Sequence, residues 1–103
     1  MTNILEKIIQ EKKEALEIIK KNNSLSSLED KIKTIKTFSN FKDAIRNNKK
    51  VSLISEIKKA SPSAGILVKN FNHVDIAKLY VDNGATCLSV LTEEKNFLGK
   101  LDY

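Results

Sequence analysis

Two short apolar runs separated by one helical pattern constrain this chain more than anything else in it. Residues 51–58, VSLISEIK, are rich in branched aliphatics and stop at the turn chemistry of SPSAG. Residues 86–91, TCLSVL, are near-continuously apolar, as strands covered on both faces are. Between them Asn72 begins a helix, and Asp75 suits its N3 position. Val74, Ile76, Ala77, Tyr80 and Val81 give that helix an apolar side, and Gly84 fits the left-handed position past its end. Strand, helix and strand within about 40 residues form a βαβ unit, which predicts parallel strands and a right-handed crossover.

The first 50 residues read differently. Ile4, Leu5, Ile8, Ile9, Ala15, Leu16, Ile18 and Ile19 fall mostly on one stripe of a helix over 3–21, closed by Asn22-Asn23-Ser24. Ser26 and Glu29 suggest a capping box for a shorter helix through Leu28 and Ile32. Ser39 is a candidate cap for a third, with Phe41, Ala44 and Ile45 inward and Asn47-Asn48 at its end. The expected organisation is a helical extension over 1–50 followed by a βαβ unit over 51–103.

Several function classes are disfavoured. No run of about 18 apolar residues exists, so no spanning helix and no membrane partner are expected. The N-terminus is charged and lacks an apolar signal core. Cys87 is a lone thiol and His73 the sole histidine, which argues against disulfides and zinc chemistry and for a reducing cytoplasm. Residues 1–50 hold 12 basic against 7 acidic side chains, yet Arg46 is the only arginine in the chain. Base readout and phosphate clamping favour arginine, so nucleic acid is not the expected partner. A non-catalytic basic α/β module that binds a partner chain or nucleic acid is the alternative to an enzyme.

The chemistry concentrates at the strand ends. Side chains at i and i+2 share a strand face, so Ile54, Glu56 and Lys58 point one way and Leu53, Ser55 and Ile57 the other. Ionised groups on a covered face need a partner or a polar cavity. The plain alternative is a strand end emerging into water. The next loop adds the hydroxyls of Ser61 and Ser63, the fixed backbone of Pro62 and the permissive Gly65, where α/β sheets bind ligands. The second strand likewise ends in Thr92-Glu93-Glu94, followed by Phe97 and Gly99. Phe97 offers a flat wall for an aromatic ligand, or a plug against the next helix. His73 reads as solvent-facing, Cys87 as a small buried hydrophobe, and Tyr80 as packing helix on sheet.

SEIKKASPSAGI followed by DIAKLYVDNGATCLSVLTEEKNFLG resembles the indole-3-glycerol phosphate synthase family of tryptophan biosynthesis, over residues 51–103. The helical N-terminus is similar to that family's extension before the barrel. The resemblance implies a (β/α)8 TIM barrel, no cofactor and an anionic phosphate substrate. An anthranilate-bearing carboxylated deoxyribulose phosphate would lose CO2 and water to give the indole. By position Glu56 and Lys58 match the family's catalytic carboxylate and lysine. Ser61 and Pro62 match its substrate-contacting loop, and Leu91 and Phe97 its anthranilate pocket. Ala64, Asn72-His73, Leu98 and Lys100 depart from the family's usual residues. A barrel of this type needs about 250 residues, and only two of its eight strands are expected here. The expectation is therefore an N-terminal piece, inactive alone, with a complementing C-terminal barrel chain as partner if the short form is real.

Overall fold

The structure, a computed structural model, describes residues 3–103. The chain divides into two compact units, Met1–Ser39 and Asn40–Tyr103. The segment expected as one helical extension over 1–50 is thereby split, and its third helix falls in the second unit.

The first unit holds α1 (Ile4–Asn22) and α2 (Leu25–Lys33). The Asn3 side chain accepts from the Glu6 amide at 2.8 Å, and Glu6 at the start with Lys20 and Lys21 at the end complement the α1 dipole. The α2 cap is Ser24, which accepts from the Ser27 amide at 3.1 Å. The Ser26–Glu29 box does not form, because α2 starts two residues earlier and Ser26 lies inside its first turn. No residue of either helix is buried.

The second unit opens with α3 (Phe41–Arg46), capped by Asn40, not Ser39, through a 2.9 Å bond from the Asp43 amide. Ile45 is half-buried, but Phe41 is 52% exposed and Ala44 is exposed, so the expected inward face is not covered. Then follow β1 (Ile54–Ile57), β2 (Ala60–Ser61), β3 (Gly65–Ile66), α4 (His73–Asp82) and β4 (Cys87–Val90). Strand β1 is shorter than the apolar run 51–58, and Val51, at 96% exposure, lies outside it.

Strands β1 and β4 pair in parallel, with Ile54 opposite Cys87 and Ile57 opposite Val90. The connecting α4 forms as its sequence dictates. Asn72 accepts from the Asp75 amide at 3.1 Å. At the other end Gly84, at φ +94°, lets its own amide reach the Val81 carbonyl and the Ala85 amide reach that of Tyr80, a Schellman closure. Ile76, Ala77 and Tyr80 are partly covered while Val74 and Val81 stay exposed, so the apolar side is narrower than its sequence suggests. The core is small: Ile57 and Ala60 at 2% exposure, with Cys87. A polar clasp holds the N-terminal ends of the strands, where Thr86 Oγ1 accepts from the Leu53 amide at 3.0 Å and from the Asn48 side chain at 3.4 Å. No described helix is long and apolar enough to cross a membrane.

Candidate active site

Alternation along β1 sets the site. Ser55 and Ile57 turn inward, and Ile57 is buried, while Ile54 and Glu56 are exposed on the other face. Lys58, just past the strand, shares the Glu56 face, and its Nζ lies 3.2 Å from Glu56 Oε1. The side chains are 32% and 47% exposed, respectively. An ion pair that open contributes at most about 1 kcal/mol to stability. What it fixes is direction: the ammonium is held at the C-terminal end of β1, with donors left over for an anion.

The backbone beneath the pair is anchored from a second element. The Leu53 and Ile57 carbonyls accept from β4-side amides of Thr86 and Leu91, at 2.9 and 3.1 Å. Strand carbonyls alternate between edges, so that of Glu56 points to the edge away from β4. There it accepts from the Tyr80 hydroxyl at 3.0 Å. Tyr80 thus does more than pack helix on sheet: it ties α4 to the residue carrying the carboxylate.

The loop after β1 folds into the small antiparallel hairpin β2–β3, with Ala60 opposite Ile66 and Ser61 opposite Gly65. Gly65 takes φ +67°, a conformation glycine adopts at little cost. The Ser61 hydroxyl oxygen accepts from the Ala64 amide at 3.2 Å, so it helps build the turn. Pro62 sits exposed at the hairpin tip. Leu91 lies beside this end of β1 through its 3.1 Å bond to the Ile57 carbonyl.

The loop after β4 is closed by Glu93. Its carboxylate accepts from the amides of Lys95 (3.0 Å), Asn96 (2.7 Å) and Phe97 (3.0 Å) and from the Asn96 side chain (3.2 Å). Its carbonyl accepts from the Gly99 amide at 2.8 Å. Burial pushes the Glu93 pKa up, but the amides of Asn96 and Phe97, the Asn96 side chain and the Lys95 amide outweigh it and hold the pKa below its ordinary value. Gly99 is buried, and a Cβ there would collide with the Leu91 carbonyl oxygen and approach Thr92 Cα to 2.8 Å. Phe97, half-buried, leaves this loop four residues from its anchor.

A shallow hollow lies beside the same loop, lined by Glu94, Leu98, Gly99, Lys100, Leu101 and Asp102, and neither Glu56 nor Lys58 lines it. His73 is not simply solvent-facing: its ring stacks on Tyr103 with centroids 4.4 Å apart. Among the described residues no three His, Cys, Asp or Glu side chains gather to hold a metal. Sequence reasoning found the charged pair from its spacing but missed the clamp of Glu93 and the Tyr80 tie. No sequence pattern distinguishes the first, since Glu93 stands beside a second acid, Glu94, and its capture of three amides depends on backbone conformation.

The family model described as indole-3-glycerol phosphate synthase matches residues 5–103. The indole-3-glycerol phosphate synthase of Desulforamulus reducens is 46% identical over 100 residues, covering 97% of this chain and 38% of that protein. That of Legionella pneumophila (strain Lens) is 44% identical over 103 residues, covering the whole chain and 39% of the relative. That of Acaryochloris marina is 43% identical over 102 residues, covering 98% and 34%. The chain thus spans less than two fifths of the length of these curated relatives.

Proposed function

The chain belongs to the indole-3-glycerol phosphate synthase family, and from that premise we propose that it supplies the first strand-end charges and the second rim loop of a (β/α)8 barrel that closes the indole ring. The reaction is a carbon–carbon lyase step. 1-(2-Carboxyphenylamino)-1-deoxyribulose 5-phosphate forms a bond between its aromatic ring and the sugar carbonyl carbon. The ring carboxylate leaves as CO2 and the carbonyl oxygen leaves as water.

Each part of this chain has a task in that reaction. A carbonyl oxygen departs as water only once it has gained protons, so a directed acid is needed beside it. Lys58 binds the anionic substrate and donates to that oxygen. Glu56 aims the ammonium and takes part in the proton traffic. Ser61 and Pro62 shape the loop over the substrate, and Leu91 and Phe97 wall the anthranilate ring. The residues need no cofactor, and the setting is the reducing cytoplasm, which suits a lone buried thiol at Cys87.

The observation that carries this reading is the 3.2 Å Glu56–Lys58 pair at the C-terminal end of a parallel strand, where such sheets bind ligands. The test is K58M and E56Q in the polypeptide that carries this sequence, assayed for indole-3-glycerol phosphate. Each is expected to lower turnover by about 10²–10⁴-fold, with folding stability changed by no more than about 1 kcal/mol. Turnover within threefold of wild type in both variants would sink the assignment.

A further inference from the structure

The charged pair gives the proposed site its reacting groups, but nothing in it explains how an aromatic wall on a loop is held still. A single ring on a loop needs a fixed backbone to act as a wall. Residues 95–97 have no strand or helix to take their amides. All three amides instead converge on one carboxylate, that of Glu93, at 2.7–3.0 Å. The far end of the loop returns to the same residue, because the Gly99 amide donates to the Glu93 carbonyl. The bare Cα of Gly99 allows that return, since a side chain there would meet the Leu91 carbonyl. Leu91 is in turn bonded to Ile57, the last residue of β1. One acid therefore links both ends of the loop, the Phe97 amide and, through Leu91, the end of the strand that carries Glu56.

We propose that Glu93 is a positioning residue for the ring-closing reaction: its carboxylate closes the loop after β4 and so fixes Phe97 as one wall of the pocket for the substrate's aromatic ring. This rests on the function proposed above. Glu93 transfers no proton and touches no substrate; it acts through Phe97. A glutamine keeps the shape but presents one acceptor oxygen where the carboxylate presents two, and it carries no charge. An aspartate keeps the charge and both oxygens.

The test has two arms, both on the polypeptide that carries this sequence. In the first, amide hydrogen exchange is followed at Lys95, Asn96 and Phe97. E93Q is expected to speed exchange at Asn96 and Phe97 about tenfold or more, and E93D to restore most of the protection. In the second, steady-state kinetics are measured for E93Q, F97A and the double variant. E93Q is expected to raise KM about tenfold with kcat changed less than threefold, and to add little when F97A is already present. Unchanged exchange in E93Q would overturn the clamp. Fully additive penalties in the double variant would overturn its action through Phe97. A wild type that does not close the ring would instead refute the proposed function, and the exchange arm alone would then decide whether Glu93 holds the loop.

Discussion

At the scale of single residues, the same charge type does two different jobs. Glu56 and Lys58 are paired yet open to solvent, so their contact contributes little to folding and leaves the lysine able to engage an anion. Glu93 spends its charge inward, on amides of its own loop. The inward bonding of Glu93 predicts a pH dependence of local order in its loop. Glu93 has its folded pKa lowered, so the protection it gives is present above its unfolded value and lost as pH falls through the folded one. Amide exchange at Asn96 and Phe97, corrected for its intrinsic pH dependence, is therefore expected to accelerate below about pH 4 and to stay level between pH 6 and 8. Gly99 gives a second prediction. G99A places a methyl group against the Leu91 carbonyl and Thr92, and is expected to cost about 1–3 kcal/mol in urea unfolding. A stability equal to wild type would show that the loop has room that the structure denies.

At the scale of elements, α4 and the two parallel strands were legible because their signals are periodic or terminal. Asn72, Asp75 and Gly84 stand where a helix start and stop require them, and all three act as read. The parallel pairing follows from a helix between two apolar runs. The misreadings have local causes. Residues 24, 26 and 27 are all serine, and any could cap; the choice of Ser24 depends on where α1 ends. Likewise Asn40 displaced Ser39 by one position. The β2–β3 hairpin has two residues per strand, too few for any alternation to show. The clamp at Glu93 was invisible because carboxylate capture of successive amides depends on backbone conformation and leaves no period in the sequence. The Tyr80 tie joins two elements and predicts a measurable loss. Y80F removes the donor to the Glu56 carbonyl and is expected to cost about 1 kcal/mol, lowering the melting temperature of this unit. An unchanged melting temperature would mean that water satisfies that carbonyl as well as tyrosine does.

At the scale of the whole molecule, the second unit has a core of three buried side chains, while Leu53, Ile54, Val90 and Leu101 remain exposed. Its two-stranded sheet leaves one edge of each strand without a strand partner among the described residues. In the proposed barrel those edges and faces are met by further strands and by the helices that cover them. The basic helices of the first unit gave the reading of a binding module its only support, and the family assignment extends across those helices as well. The most direct test is turnover by the polypeptide that carries this sequence, isolated from its host with its intact mass recorded and given 1-(2-carboxyphenylamino)-1-deoxyribulose 5-phosphate. The account predicts indole-3-glycerol phosphate from a polypeptide of barrel size, about 250 residues. A barrel-sized polypeptide that forms no indole-3-glycerol phosphate, or an 11.6 kDa chain that forms it unaided at an ordinary enzymatic rate, would contradict it.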